Sequence, residues 1–348
     1  MRYLDFERPV EELDRLIQQQ KDYQQKTGLN MTGEIEALER KRHQLIRDIF
    51  YNLTPYQRIQ LARHPERPYC LDYIRLMTTD FVELHGDRAF GDDPAMVGGF
   101  ANLDGRTVMI IGHQKGRDTE ENLRRNFGMA NPEGFRKALR LMQMAERFHK
   151  PVICFIDSAG AYPGVGAEER GQAEAIARNL MVISQLKTPI VVVVTGEGGS
   201  GGALAIAVGD RILILQNAYY AVCTPEACAA ILFKDRAKAS TAVSSMKITP
   251  EDLLELGVID EIIPEPLGGA HQNWQEAADA LKQAIIQNID MLSPIPPDQL
   301  IEQRYAKFRA MGEFEDTQKR PLTIPNHSNS GISVENDSRE PDLSAAIA

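Results

Sequence analysis

Residues 189–208 read PIVVVVTGEGGSGGALAIAV, and they give the clearest indication of the fold class. The apolar run over 189–195 shows no alternation of polar and apolar residues, so it predicts a strand that is buried on both faces. A glycine-rich turn follows at 196–200, and a helix is predicted over 201–208. A buried strand, a tight turn and a helix in this order indicate an α/β protein, in which helices cover the faces of a sheet.

The same alternation continues on both sides of this stretch. Further strands are predicted at 95–103, 107–113, 151–157, 211–215 and 258–263. Helices are predicted at 132–148, 168–186, 225–232, 237–245, 250–256 and 275–289. Asp104 and Gly105 stand between the first two of these strands and form a strong signal for a two-residue hairpin turn. We therefore predict a layered α/β core.

The two ends of the chain differ from this core. Apolar residues recur at three- and four-residue spacing in the first 65 residues, which predicts helices, and Gly28 and Gly33 divide them into a hairpin. Beyond about Glu315 the sequence is polar and rich in Ser, Asn, Pro and Asp, and we expect disorder there. The predicted domains are a helical region at 1–65, a core domain at 66–312 and a disordered tail at 313–348.

Composition limits the possible functions. The 348 residues include 39 Lys and Arg against 49 Asp and Glu, a net charge of −10 that argues against nucleic acid as a partner. No apolar stretch reaches the ~20 residues of a membrane span, and the N-terminus resembles neither a secretory signal nor a transit peptide. Four cysteines (Cys70, Cys154, Cys223 and Cys228) form no CxxC pair, so we expect reduced thiols and no metal site.

Two glycine-rich turns, each after a buried strand, are the candidate functional sites. The first covers 157–166 and the second covers 196–203. Glycine permits close approach of the backbone, and the start of a helix presents amide donors without partners. Such turns suit negative charge on oxygen, either a phosphate in the ground state or an enolate in a transition state.

Three interpretations of the second turn remain open at this point. A P-loop is excluded because neither turn contains the required Gly-Lys pair. GEGGSG at 196–201 matches the dinucleotide pattern GxGxxG, a weak signal here because no second strand end supplies the expected acidic residue. The glycines could also serve only close packing of helix on sheet. The third interpretation is an oxyanion hole.

Several longer motifs favour the oxyanion hole. They are GHQKGR (112–117), NFGM (126–129), RLMQMAERF (140–148), GAYPGVGAEERGQ (160–172), GEGGSGGALAI (196–206) and IPEPLGGAH (263–271). Together they closely resemble the carboxyltransferase alpha subunit of multisubunit acetyl-CoA carboxylase, over about residues 1–310. One departure is Ser158-Ala159, where that family usually has Thr-Pro, and the polar tail is another.

The resemblance implies a crotonase-like fold of ββα spiral units behind the N-terminal helical hairpin. It also implies a carboxyltransferase in the first committed step of fatty acid biosynthesis, which moves a carboxyl group from carboxybiotin to acetyl-CoA and yields malonyl-CoA. The expected partners are a beta subunit in an α2β2 assembly, a biotin carboxyl carrier protein and an ATP-using biotin carboxylase. No cofactor is expected to be bound covalently, and the expected location is the bacterial-type cytoplasm, or the plastid stroma for an organelle-encoded chain.

The resemblance also assigns site residues. It places the backbone amides of Gly201 and Gly202 at the biotin oxygen, and the hole for acetyl-CoA mainly on the beta subunit. Gly160, Tyr162 and Gly164 are expected to shape the pocket floor, although Tyr162 could equally be a packed aromatic residue. Gly198 and Gly199 are expected to belong to the same substrate-binding set.

Charged residues in the motifs have two interpretations each. Lys115 and Arg117, with His113, are candidates to bind CoA phosphates or the carrier, or they form a solvated basic loop. Glu168 and Glu169 resemble the acid–base pair of related hydratases, but adjacent helical residues point in different directions. Glu197 has the same ambiguity. A hydratase, another acyl-CoA carboxyltransferase and a non-catalytic scaffold for the beta subunit therefore remain as alternatives.

Overall fold

A computed structural model describes residues 2–312, so the predicted disordered tail at 313–348 lies outside the described residues. The α-helices are α1 Arg8–Thr27, α2 Thr32–Tyr51, α3 Pro55–Ala62, α4 Cys70–Met77, α5 Thr119–Arg124, α6 Pro132–Arg147, α7 Val165–Glu169, α8 Gln172–Ile183, α9 Ser200–Leu204, α10 Pro225–Phe233, α11 Ala239–Met246, α12 Pro250–Glu255, α13 Trp274–Leu292 and α14 Pro297–Ala310. Short 3₁₀ turns lie at Asp5–Glu7, Asn126–Gly128 and Arg236–Lys238.

A single mixed sheet organises the described chain. Its strands are β1 Thr79–Glu83, β2 Met96–Leu103, β3 Arg106–His113, β4 Val152–Ser158, β5 Ile190–Gly199, β6 Arg211–Leu215, β7 Tyr219–Ala221 and β8 Glu261–Ile263. The order is β1-β2-β3-β4-β5-β6-β8, and β7 pairs with the end of β5. The first two pairings are antiparallel and the others are parallel. The predicted α/β class is confirmed.

The core is densest along β4 and β5. Every residue of these two strands is buried, as expected for central parallel strands covered on both faces. Helix α6 packs on β2 and β3 and against α8, and α13 packs on β5 and α4. The carboxyl ends of β4 and β5 therefore emerge side by side from a rigid interior, and both glycine-rich turns begin there.

The hairpin between β2 and β3 has the geometry that its sequence predicts. Leu103 pairs with Arg106, which leaves Asp104 and Gly105 as the two turn residues. Both have positive φ, 49° and 82°, as a type I′ turn requires.

Replacing Gly105 by Ala tests this turn. A Cβ atom there would meet nothing within 4 Å, so the cost comes from the backbone alone. Because an L residue in the left-handed region costs about 1–2 kcal/mol, the free energy of unfolding should fall by that amount in urea denaturation. Gly33→Ala is the matched control, since Gly33 lies in α2 with equally open space and no positive φ. A Gly105→Ala variant as stable as the native chain would contradict the assignment.

The N-terminal helices form the predicted hairpin. Asp14 of α1 pairs with Arg42 of α2, and Lys21 pairs with Glu39 at 2.8 Å, so the two helices run antiparallel. Gly28 ends α1 with a φ of 72°, and its N–H bonds to the carbonyl of the preceding turn. The boundary drawn at residue 65 between two domains stays a prediction.

Three buried side chains connect the N-terminal segment to the core. Glu7, His64 and His271 lie with their potential metal-ligating atoms within 4.8 Å of one another. The two imidazole rings stack with centroids 4.0 Å apart, and both nitrogens of His64 already have backbone partners, at Arg2 and Glu66. Burial, together with neighbouring His64 and Arg67, lowers the pKa of His271 to about 3. The stack is therefore neutral at pH 7.

Several predicted elements differ from the structure, among them the strand predicted at 258–263, of which only Glu261–Ile263 forms a strand. The helix predicted at 168–186 is divided into α7 and α8, because Gly171 has a φ of 81°. The helix predicted at 201–208 is only the five residues of α9, since the chain must return to the sheet, where Asp210 N–H bonds to Ile190 O at 2.9 Å. The strand predicted to end at 195 continues to Gly199, because β7 pairs with its glycine-rich end.

Within residues 2–312, no helix combines the length and the apolar character that crossing a membrane would need.

Candidate active site

The two glycine-rich turns pack directly against each other through their backbones. A Cβ atom on Gly199 would lie 2.1 Å from the carbonyl oxygen of Ala159, and one on Gly202 would lie 2.3 Å from the carbonyl carbon of Gly160. No side chain fits at either distance, so glycine is required for this approach. The structure thus brings Gly160, Gly199 and Gly202 together.

Amide donors without partners stand at the start of α9. Gly201 and Gly202 are its second and third residues, and the first four N–H groups of a helix have no partner within it. Across the described part of the chain, no other hydrogen bond is formed by either amide. Ser200 opens the helix with a φ of 52°, a conformation that costs about 1–3 kcal/mol and persists only where the surroundings enforce it.

A cavity of about 700 Å³ begins at these residues. Ser200 and Gly201 lie in its wall, followed by apolar side chains that include Leu204, Ile248 and Leu253. Gly202 is buried instead, against the first turn. A ligand in the cavity would meet an almost entirely apolar wall and, at this end, the turn that carries the amides.

The first turn is held by a buried hydroxyl group. Ser158 Oγ donates to the carbonyl of Gly160 at 2.8 Å and accepts from its N–H at 3.2 Å. Although Ser158-Ala159 lacks the proline that the resemblance predicts, the hydroxyl group that a threonine would supply is present. Ser158 therefore restrains the first turn even though the proline is absent.

Tyr162 and Gly164 lie further along the first turn and contact each other. A Cβ atom on Gly164 would be 2.4 Å from Tyr162 Cε1, so the ring lies directly on this glycine. Tyr162 N–H bonds to Ala130 O at 3.0 Å, and its carbonyl accepts from Gln172. The half-buried ring is thus packed by its own turn.

Gly198 lies directly behind the wall of the cavity. It pairs with Tyr220 of β7, and a Cβ atom on Gly198 would be 2.8 Å from Tyr220 Cδ2. The Tyr220 ring in turn lines the cavity. The glycine therefore makes room for this aromatic part of the wall.

Lys115 lies under both turns. Its Nζ is 2.7 Å from Asp157 Oδ1 and 2.9 Å from Glu197 Oε1, and its side chain is only 13% exposed. Burial opposes the charged ammonium, but Asp157 and Glu197 outweigh it and raise the pKa of Lys115. The lysine is therefore charged and paired with two carboxylates of its own chain.

Glu197 extends this cluster toward α10. Its Oε2 accepts from Arg63 Nε at 2.8 Å and from the Tyr219 hydroxyl at 2.7 Å. Arg63 also pairs with Glu226 in the first turn of α10, at 2.6 Å. Burial tends to raise the pKa of Glu197, but Lys115 and Arg63 outweigh it and hold that pKa at about 2. Glu197 is thus an ionised structural carboxylate at neutral pH.

Arg117 and His113 also contact their own chain. Arg117 donates to the carbonyls of Pro65 and Arg67, at 2.8 Å each, and stacks on Tyr69. His113 is fully buried, so the expectation that it meets CoA phosphates or the carrier is wrong. Burial and Lys115 lower the pKa of His113 to about 4. Binding of substrate by Lys115 and Arg117 stays a prediction.

Glu168 and Glu169 lie exposed on the five-residue helix α7. Neither shows the burial that would adapt a carboxyl group for acid–base catalysis. The hydratase-like pair has no support in this geometry.

Sequence reasoning missed Arg63, Tyr219 and Glu226. Arg63 is separated from Glu197 by 134 residues and from Glu226 by 163. No spacing or motif connects these positions, because the contacts exist only after α3 docks beside β5 and α10.

Comparison with known proteins assigns the chain to a family. Residues 3–312 match the family model described as acetyl co-enzyme A carboxylase carboxyltransferase-like. The chain is 52% identical over 331 residues to the acetyl-coenzyme A carboxylase carboxyl transferase subunit alpha of Halalkalibacterium halodurans, covering 95% of this chain and 98% of that one. The subunit of the same name from Geobacter metallireducens is 56% identical over 313 residues, covering 90% and 98%.

Solved structures support the fold. A transcarboxylase 12S structure superposes with a TM-score of 0.54 at 18% identity, covering 77% of this chain and 47% of that one. A Pseudomonas malonate decarboxylase hetero-tetramer in complex with coenzyme A gives a TM-score of 0.54 at 15% identity, covering 69% and 95%. The predicted crotonase-like core is thereby confirmed. Since its relatives match over almost their whole length, the chain belongs to the family of acetyl-CoA carboxylase carboxyltransferase alpha subunits.

Proposed function

We propose that this chain is the alpha half of a carboxyltransferase that moves a carboxyl group from carboxybiotin, presented on a carrier protein, to acetyl-CoA, with malonyl-CoA as the product. Family membership supports the reaction class. The single structural observation that carries the proposal is the pair of amides at Gly201 and Gly202. They lack partners in residues 2–312 and begin a helix whose first residues line an apolar cavity.

The cavity suits a group with an apolar ring and a polar edge. Its wall is dominated by aliphatic side chains such as Leu204 and Leu253, and the amide-bearing turn lies at one end. When bound, carboxybiotin supplies the carboxyl group, whose departure leaves negative charge on the ureido oxygen. The residues present therefore fit a ligand of this kind.

The protein contributes preorganised donors. The amides of Gly201 and Gly202 stabilise charge that develops on oxygen, and this requires no ionisable side chain. An oxyanion donor of this type contributes about 10²–10³ in kcat. Because Gly202 packs on Gly160 at backbone distance, the position of the donors depends on the contact between the two turns.

The other predicted site residues have supporting roles. Gly160, Tyr162 and Gly164 shape the floor beside the first turn, and Gly198 and Gly199 shape the cavity wall and the contact between turns. Lys115 and Arg117 act through the backbone that they hold, because their charges are already paired within the chain. A beta subunit in an α2β2 assembly supplies the acetyl-CoA half of the site, and a separate biotin carboxylase uses ATP.

The assay that tests the proposal measures decarboxylation of malonyl-CoA with free biotin as acceptor. We expect turnover from the co-purified alpha and beta chains and none from either chain alone. Hydration of an enoyl-CoA by the alpha chain alone would instead establish the hydratase alternative. Full turnover by a pair whose alpha chain carries an altered Gly202 would establish the scaffold alternative.

A further inference from the structure

The backbone ladder between β4 and β5 is irregular at the point where the two turns begin. Ile156 pairs with Val194, but the next pair is Ser158 with Gly198. Asp157 on β4 therefore faces three residues of β5, at 195–197. Pairing with β4 does not fix this part of β5, which leads directly into the turn with the proposed donor amides. On its other side, Glu197 pairs with Tyr219 of β7.

Side-chain contacts join β4 to β5 where backbone pairing between these strands is missing. Asp157 Oδ1 accepts from the N–H of Glu197 at 2.9 Å and from Lys115 Nζ at 2.7 Å. A Cβ atom on Gly196 would lie 2.4 Å from the same oxygen, so this segment of β5 is pressed onto the carboxylate. Lys115 then reaches across to the Glu197 side chain at 2.9 Å.

Lys115 itself is rigidly placed. A Cβ atom on Gly128 would be 2.9 Å from Lys115 Cγ, and Gly128 has a φ of 78°, so the 3₁₀ turn at Asn126–Gly128 closes over the lysine stem. The carbonyl of Lys115 accepts from the Gln114 side chain at 2.9 Å. An ammonium group so fixed can define the separation of two carboxylates.

We propose that Lys115 is a positioning residue for carboxyl transfer, whose ammonium group joins Asp157 to Glu197 and thereby holds the Gly201 and Gly202 amides in register with the first turn. The inference rests on the proposed function of those amides. It assigns Lys115 an effect on turnover that acts through β5, in place of a contact with CoA phosphates.

Charge balance makes this role testable. Without the ammonium, Asp157 and Glu197 would face each other with two cations nearby, Arg63, which is shared with Glu226, and Arg67, which is paired with Glu265. Two buried carboxylates that share a site favour protonation of one of them. The charged and titratable groups that face the cluster from every packed element are Lys115, His113, Asp157, Glu197, Tyr219, Arg63, Arg67, Tyr69, Cys70, Tyr73 and Glu226.

The experiment compares Lys115→Met with the native chain, each co-purified with the beta subunit, in the decarboxylation assay. We expect kcat to fall by about 10–100-fold, a partial loss of the oxyanion contribution, with KM for malonyl-CoA changed by less than about threefold. We also expect the activity of the variant, relative to the native pair, to recover as the pH is lowered, because protonation of one carboxylate replaces the lost cation.

A second variant separates positioning from misfolding. Lys115→Met combined with Glu197→Gln keeps the net charge of the cluster, and the new amide can donate to Asp157. This double variant should be at least about threefold more active than Lys115→Met. Lys187→Met, which removes an exposed lysine paired with exposed Asp298, is the control and should behave as the native chain.

Each outcome of these assays either supports or overturns the positioning role of Lys115. An increase confined to KM for malonyl-CoA would show that Lys115 binds CoA and would overturn the inference. So would native kcat in Lys115→Met, or a folded, assembled double variant with no gain over the single one at any pH. If Lys115→Met does not fold, the double variant is compared with the native pair, and an increase confined to KM for malonyl-CoA would then overturn the inference. Inactivity of the native pair, in contrast, would reject the proposed function.

Discussion

Gly202→Ala should lower the rate of carboxyl transfer by at least about 10²-fold, the effect of removing an oxyanion donor. The new Cβ atom would lie 2.3 Å from Gly160 C and 2.4 Å from Ala161 N, both backbone atoms that cannot rotate away. One of the two turns must move, and the amides of Gly201 and Gly202 move with it. The measurement is kcat for malonyl-CoA decarboxylation by the alpha–beta pair.

Gly201→Ala provides the comparison at the adjacent position. Its Cβ atom would meet Ile176 Cδ1 at 3.6 Å, an ordinary van der Waals contact, and the amide would stay in place, so we expect a loss of only a few-fold. Gly33→Ala, far along the chain in α2, controls for expression and assembly. Equal losses in Gly201→Ala and Gly202→Ala would contradict the steric argument.

Arg67→Met should destabilise the fold by about 3–5 kcal/mol, the usual cost of leaving one partner of a buried ion pair alone. Arg67 donates to both oxygens of Glu265 at 2.8 Å, and the two side chains are 2% and 0% exposed. Arg67 also donates to Thr195 O of β5. The measurement is the free energy of unfolding in urea at pH 7.

The loss in Arg67→Met should depend on pH with a definite sign. Burial acts to raise the pKa of Glu265, but Arg67 and Asn217 outweigh it and lower it from 4.5 to about 2. A depressed folded-state pKa contributes stability above pH 4.5 that disappears as the pH falls toward 2. The stability gap between native chain and variant should therefore narrow on acidification.

Arg75→Met is the matched control for that measurement. Arg75 is 73% exposed and lies 3.8 Å from Asp72, and an ion pair whose arginine is so exposed contributes less than about 1 kcal/mol. A gap between native chain and Arg67→Met that is equally large at pH 7 and at about pH 3 would exclude the ion pair as its cause.

Much of the fold follows from local patterns. The all-apolar runs that became β4 and β5 predict central strands because only a doubly covered sheet buries such runs. Asp104-Gly105 predicts its turn because few other pairs accept two positive φ angles. The glycines of the second turn predict close backbone contact, and Gly199 and Gly202 show it.

What the sequence could not predict depends on distant contacts. The strand β7 has three residues and pairs only with the glycine-rich end of β5, so no periodicity identifies it. Lys115 reads as an exposed basic residue in a loop, and its burial depends on β4 and β5 meeting it from elsewhere in the chain. Long-range ion pairs leave no local trace, so the sequence alone leaves Lys115 as a candidate to bind CoA phosphates or the carrier, or as part of a solvated basic loop.

The burial of the ion cluster has a further consequence for the conditions under which the site is competent. Dissolved salt weakens exposed charge interactions over a Debye length of about 8–10 Å, but it screens buried pairs far less. Lys115 and Glu197 are 13% and 9% exposed, so the geometry of the turn is insulated from the ionic strength of its surroundings. Salt does screen the attraction between a phosphate-bearing substrate and charges at the protein surface.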